Sequence, residues 1–265
     1  MNRLLPCLVA IFAWLCPSTH AGDWRDTLTT IPGKFPPLQP LTAHYEFGWS
    51  GIKAAVADTT YTKTKGGLRQ LEITGRTTGA ARLLWRMDTT ASSTCNPVTL
   101  HPVKLQQTEK YSSKTLTTTV DFTAEGPATL RIPTPPDPTP PKVKRFKFAD
   151  VHDLHSALLF VRSQPLRNGQ TTRLCVFPGN SPYLAEITVQ GREKLKVAGH
   201  EWPAIRCDLK LSSIDKDFAL KPHKRFKQAT AWISDDDDRL LLKLEAEIFV
   251  GHVFLELDKV DFAKN

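Results

Sequence analysis

Apolar and polar residues alternate along most of this chain. Ala43, Tyr45, Phe47 and Trp49 alternate with His44, Glu46 and Gly48, and Ile205, Cys207, Leu209 and Leu211 with Arg206, Asp208 and Lys210. Leu242, Leu244, Ala246 and Ile248 stand against Lys243, Glu245 and Glu247. Successive side chains of a strand point to opposite faces, so each run predicts a strand with one buried and one solvated face. Weaker versions cover 71–74, 116–122, 185–189 and 253–257. Short turns such as Lys65-Gly66-Gly67, Ser112-Ser113-Lys114 and Gly199-His200 separate many of them. That is the spacing of hairpins, hence of a mainly antiparallel sheet.

One segment has a different period. Within 150–162, reading DVHDLHSALLFVR, Leu154, Ala157, Leu158 and Val161 recur at helical spacing. Asp150 or Asp153 can cap its first turn and Pro165 stops its extension, so this is the one principal helix, lying across a face of the sheet. Just before it, the loop 132–141 holds Pro133, Pro135, Pro136, Pro138, Pro140 and Pro141. Proline removes ladder donors, so an exposed connection is expected there and no strand. The strands on both sides of it share one pattern, which favours a single β-rich domain over 41–262, preceded by an extension over 22–40.

The first 21 residues read as a signal peptide: Arg3, an apolar stretch over 4–15, then Thr19-His20-Ala21 before a cleavage point near Gly22. The stretch falls short of the roughly 20 residues that cross a bilayer. A lipid anchor at Cys16 is disfavoured by the bulky Trp14 and Leu15 before it and by Pro17 after it. An exported, periplasmic or extracellular protein is therefore expected. At 40% hydrophobic and 23% charged the composition is ordinary for a globular chain. The formal charge is +8, of which Arg3 contributes one. In the envelope such a charge meets anionic lipid or polymer sooner than nucleic acid, although it also serves plain solubility. With Cys7 and Cys16 in the signal, Cys95, Cys175 and Cys207 remain, enough for at most one bridge. Cys175 with Cys207 is the pair favoured by position; three buried thiols is the equal alternative.

Candidate chemistry is sparse. Asp153, His155 and Ser156 are the residue types of a hydrolytic triad, but within one helical turn their side chains diverge, and no G-x-S-x-G elbow exists. Catalytic residues are not expected. His152 and His155 have a chelating i, i+3 spacing without a further histidine nearby in sequence, and Asp235 to Asp238 lack the alternating ligands and glycine of a calcium loop. Neither a metal nor a cofactor is expected. Lys221, His223, Lys224, Arg225 and Lys227 surround Phe226, and Lys142, Lys144, Arg145 and Lys147 alternate with Phe146 and Phe148. Interleaved basic and aromatic residues suit anionic headgroups or polysaccharide, and equally an ordinary charged strand face.

The run from Asp153 through Ser156 to Arg162, with Pro165-Leu166 and Gly169 behind it, resembles the D-x-x-S…R…G stretch of the exported bacterial family DUF3108. So do Ala231-Trp232-Ile233-Ser234-Asp235, Val250-Gly251, and Tyr45-Glu46 with Gly51. The likeness spans about 41–262; the four aspartates and Leu241 depart from the shorter acidic turn and the proline usual there. It implies structural roles for Asp153, Ser156, Arg162, Trp232 and Gly251. It also implies a strongly curved antiparallel sheet or partly open β-barrel, similar to periplasmic lipoprotein carriers, with no established activity.

Two function classes follow, both non-catalytic. One is a binder or carrier of an amphipathic or anionic envelope molecule, with acyl chains on the concave sheet face and headgroups at Lys221, Lys224, Arg225, Phe226 and Lys227, and with peripheral membrane contact. The other is a structural or assembly factor with a self-filled interior and protein partners.

Overall fold

The computed structural model describes residues 23–138, 140–223, 229–248 and 251–263. The signal segment 1–21 lies outside them, as do Lys224, Arg225, Phe226 and Lys227. The alternating runs form one antiparallel sheet of fifteen strands. In chain order these are β1 (Leu41–Trp49), β2 (Ile52–Lys63), β3 (Arg69–Thr77), β4 (Met87–Cys95), β5 (Pro102–Tyr111), β6 (Thr115–Thr123), β7 (Gly126–Thr134) and β8 (Lys144–Arg145). They continue as β9 (Thr171–Val176), β10 (Tyr183–Val197), β11 (His200–Ile214), β12 (Leu220–Pro222), β13 (Ala229–Ser234), β14 (Leu241–Glu247) and β15 (His252–Phe262). The sheet runs β8-β7-β6-β5-β4-β3-β2-β1-β15-β14-β13-β11-β10-β9, with β12 beside β11, and does not close into a barrel. Among the described residues two α-helices accompany it, α1 (Gly79–Leu84) and α2 (Leu154–Ser163), with a 3-10 turn over Trp24–Thr27.

Register shows how the sheet is rolled. Leu41, Tyr61, Leu71, Ser93, Leu105 and Val120 lie opposite one another across β1 to β6, forming a single row on one face. On the other half Val189, Cys207, Ala231, Leu244 and Leu255 do the same. Both rows turn toward α2: Leu159 packs with Leu41, Tyr61, Cys95 and Leu257, while Phe160 and Val161 pack with Leu174, Val189, Ile205 and Ile233. The helix thus occupies the concave face. A third cluster joins Leu105 and Val120 to Cys175 and Leu184. Those two sit on the side of β9 and β10 opposite Leu174 and Ala185, their neighbours that belong to the α2 cluster. The β5–β6 end therefore overlaps the back of β9–β10, as in a scroll.

A strap over 144–152 ties the overlapping ends. Phe146 N donates to Pro127 O on β7 (3.1 Å), and His152 N donates to Cys175 O on β9 (2.8 Å). Gly126 permits the crossing: it has φ +114, and a Cβ there would fall 2.2 Å from Phe146 O. The strap also decides between the two candidate caps: His152 is bridged to β9, so Asp153 rather than Asp150 caps the helix, which starts at Leu154. Pro133 and Thr134 belong to β7, against expectation. Near Pro133 only β6 pairs with that strand, since β8 reaches no further than Ala128 and Thr129, so the missing donor faces no ladder. Before β1, Trp24 is buried in the third cluster and Leu38 packs against the first.

Cys175 and Cys207 do not pair; both are free and buried, as is Cys95. Cys175 lies opposite Leu184, whose partner on β11 is Ser212, five positions from Cys207 and on the other face. At about 3.3 Å per residue that separation far exceeds the roughly 7 Å limit for a bridge. Burial pushes the thiols of Cys95 and Cys175 up to about 12 and that of Cys207 to about 11. Iodoacetamide should leave all three intact in native buffer and label all three in concentrated guanidinium without reductant. Mass spectrometry showing one labelled cysteine would instead reveal a bridge.

Candidate functional site

Asp153 caps α2. Its Oδ1 accepts from Ser156 N (2.7 Å), while Asp153 N donates to Ser156 Oγ (3.0 Å), a reciprocal cap that satisfies two amide donors. Ser93, on the inner face of β4, donates its hydroxyl to Asp153 Oδ2, and His155 Nδ1 lies 3.3 Å from that hydroxyl. Burial lowers the His155 pKa to about 4, with Asp153 opposing, so the ring is neutral at pH 7. Ser156 is fully buried and engaged with its own cap. The hydrolytic residue types thus form a packed polar knot holding α2 to β4, as the one-turn spacing implied.

Arg162, at the other end of α2, is buried and clamps the acidic turn 235–239. Its guanidinium donates to Asp238 O (2.7 Å), Asp237 O (3.1 Å) and Pro36 O. Arg239 returns the contact, donating to Arg162 O (2.7 Å) and Gln164 O, and both guanidiniums lie over the Phe35 ring at 5.1 and 3.4 Å. Asp237 and Asp238 therefore offer carbonyls to Arg162, Asp235 accepts from Arg192 with its carboxylate (3.1 Å), and Asp236 uses its carboxylate to hold Ser234 Oγ and the amides of Asp238 and Arg239. Trp232 Nε1 donates to Glu193, and Lys243 Nζ sits 5.9 Å over the ring. Gly251 has φ +75, and a Cβ on it would fall 2.1 Å from Ser50 Oγ.

The predicted ligand residues are not assembled into a site within the described region. Lys221 is exposed and paired with Asp215 at 2.9 Å; Lys224, Arg225, Phe226 and Lys227 lie outside the described residues. In the second basic stretch Lys142, Lys144, Arg145 and Lys147 are exposed, but Phe146 and Phe148 turn inward onto Trp24, Phe177 and Phe218.

Two features escaped sequence reading. The first is a rim at one end of the scroll. The β3–β4 connection carries α1, whose cap residue Thr78 donates its N–H to Ala54 O on β2 (2.8 Å). From it Leu83 and Leu84 project 90% and 89% exposed, followed by Trp85, which meets the Tyr111 ring of the next turn at 6.2 Å. Trp49 and Ile52 of the adjoining β1–β2 hairpin are exposed as well. Arg76, Arg86, Lys110 and Lys114 stand exposed around this knuckle; Asp88 pairs with Arg82 (2.8 Å) and more distantly with Arg86 (3.9 Å). The signal was there in Ala81-Arg82-Leu83-Leu84-Trp85-Arg86, an apolar triplet with no strand or helix period between arginines.

The second is where the strap meets the β4–β5 turn. His101, Asp150 and His152 bring one donor atom each within 4.8 Å of the others. The pair of histidines separated by three residues does not form, because His152 precedes the helix. A cleft of about 400 Å³ opens beside His101 and Asp150; a second, of about 450 Å³ over β9–β11, is lined by Arg173, Glu186 and Lys210 among others.

The fold has solved relatives. The chain is similar to a β-barrel-like protein of the domain of unknown function DUF1849 from Brucella abortus, at 8% identity and a TM-score of 0.57, over 87% of this chain and 100% of that one. A candidate lipoprotein from Parabacteroides distasonis (7% identity, TM-score 0.32, 88% of this chain and 100% of that one) is more distant. So is a candidate exported protein with a YmcC-like fold from Bacteroides fragilis (7%, 0.34, 87% and 99%). No curated protein matches the chain in sequence. The profile of the protein of unknown function DUF3108 matches residues 42–258, the span that holds the capped helix, the Arg162 clamp and the rim, and the chain belongs to that family.

Proposed function

We propose that this protein is an exported, non-catalytic envelope factor that binds anionic amphiphiles at a membrane surface through the rim around Leu83, Leu84 and Trp85. The observation that carries this is the exposure of two consecutive leucines, at 90% and 89%, between arginines. Apolar side chains beside tryptophan and cations suit the boundary between headgroups and acyl chains, where Trp is enriched and each nearby cation adds about 1 kcal/mol on an anionic surface. Export is supported by the signal-like segment 1–21. Acyl chains on the concave face are disfavoured, because α2 and its neighbours already fill it. Among the described residues no helix is long and apolar enough to cross a membrane.

Co-sedimentation with phosphatidylglycerol vesicles tests this reading. Leu83→Ser with Leu84→Ser is expected to weaken binding at least about tenfold, since each fully inserted leucine is worth about 1.5–3 kcal/mol. Arg86→Gln should weaken it by about fivefold at low salt and less at high salt. Binding unchanged in the double variant, or none by the parent protein, sinks the membrane reading and leaves a protein partner for the rim.

A further inference from the structure

Among the described residues His152 is the buried side chain that leaves two polar atoms without a hydrogen-bond partner. It is 1% exposed, wedged between the His101 ring (5.2 Å between centroids, 19° between planes) and the Phe160 ring (4.9 Å). Neither ring nitrogen completes a hydrogen bond, although the Leu100 carbonyl approaches it. A buried imidazole left in this way carries a desolvation cost that a packed core would avoid by placing an apolar residue there. Its backbone is fixed on both sides, with His152 N on Cys175 O (2.8 Å) and Phe177 N on His152 O (2.7 Å). The ring is therefore held in place with its lone pair unspent.

The other two donors converge from separate elements. His101 follows Leu100, which takes a left-handed backbone (φ 57) to close the β4–β5 turn, and Asn96 Oδ1 secures that turn by accepting from the amides of Val98 and Thr99 (2.8 and 3.0 Å). Asp150 projects from the strap two residues before His152, and its Oδ1 lies 3.8 Å from His101 Nε2. We propose that His101, Asp150 and His152 form a binding site for a divalent transition-metal ion such as Zn²⁺, which pins the β4–β5 turn to the strap closing the scroll. Two imidazoles and one carboxylate are a donor set for Zn²⁺, Co²⁺ or Ni²⁺ rather than for the all-oxygen ions Mg²⁺ and Ca²⁺. Tetrahedral Zn²⁺ at about 2.0–2.1 Å from each ligand sets donors about 3.3 Å apart. The present spread of up to 4.8 Å closes by rotating His101 and Asp150, both only partly buried, while His152 stays put. The 400 Å³ cleft lined by His101 and Asp150 supplies the route of entry and room for a water as fourth ligand.

The test uses untagged, EDTA-treated mature protein. Calorimetric titration with Zn²⁺ is expected to show one equivalent bound with micromolar or tighter affinity and a rise of several degrees in Tm. Co²⁺ should give the intense visible bands of a tetrahedral site. His101→Ala and Asp150→Asn change partly exposed side chains outside the core, and each should lower the affinity at least tenfold while leaving the metal-free Tm near that of the parent. His152→Phe should abolish binding; because the ring is buried it is read only alongside the other two. No binding by the parent, binding that persists in both His101→Ala and Asp150→Asn, or equal response to Mg²⁺ and Zn²⁺ overturns the proposal.

Discussion

Replacing Arg162 with methionine is expected to cost the fold about 3–5 kcal/mol, a large fraction of the roughly 5–15 kcal/mol margin of single-domain stabilities. The side chain is buried, and although burial lowers its pKa to about 10 it is still cationic at pH 7. It feeds three backbone carbonyls, those of Pro36, Asp237 and Asp238, and no side-chain carboxylate is bonded to it. Methionine keeps the stem and its packing but leaves those carbonyls without their donor, at about 1–3 kcal/mol for each that water cannot reach. It also frees the N-terminal segment at Phe35 and Pro36, whose ring stacks beneath the two guanidiniums. Arg173→Met is the matched control: that arginine pairs with Glu186 at 3.1 Å on the surface, its side chain 39% exposed, and should cost under about 1 kcal/mol. Urea unfolding of the three proteins decides the matter, and equal midpoints for the two variants would show that the clamp is incidental.

What the sequence made legible was local. A period of two around Leu242, Leu244 and Ala246 is a property of neighbours along the chain, and it identified the inner face of β14 correctly. A cap at Asp150 or Asp153 was equally visible, and the structure uses Asp153 with Ser156 three residues on. What escaped depends on pairing between distant segments. The choice between Asp150 and Asp153 as cap is settled by the bridge of His152 to β9, because the His152 carbonyl already accepts from Phe177 N and is not free to accept within a helix. Pro133 entered β7 because its missing N–H faces no neighbour, a fact about where β8 stops. Cys175 and Cys207 look equivalent as residues of strands, yet register sets them on opposite faces. His101 could not be linked with Asp150 and His152 from spacing, since the four strands β5 to β8 separate them in sequence. The rim is silent for a different reason: Leu83-Leu84-Trp85 is aperiodic and matches neither strand nor helix spacing. Of the basic cluster at 221–227, Lys221 is described and pairs with Asp215 across a hairpin, while Lys224, Arg225, Phe226 and Lys227 lie outside the described residues.

Phe160→Ala is expected to cost about 3–5 kcal/mol, and this result bears directly on whether the scroll is a container. Phe160 is fully buried on α2, in the cluster formed with Leu174, Val189, Ile205 and Ile233, and its ring backs His152. Deleting a ring from a packed core removes its transfer free energy and leaves a void that rigid strands around it cannot collapse into. A carrier that opens its concave face to an acyl chain would need α2 to yield, and a helix that yields in this way has little to lose from a smaller side chain. Leu154→Ala, on the same helix but 67% exposed, should change stability by less than about 0.5 kcal/mol and reports any effect of helix propensity alone. A large difference between the two in urea unfolding marks the interior as self-filled and sends the search for ligands to the rim. A Phe160→Ala protein as stable as the parent, particularly one that co-purifies with lipid, would mean the concave face is compliant, and the interior carrier would then displace the surface binder.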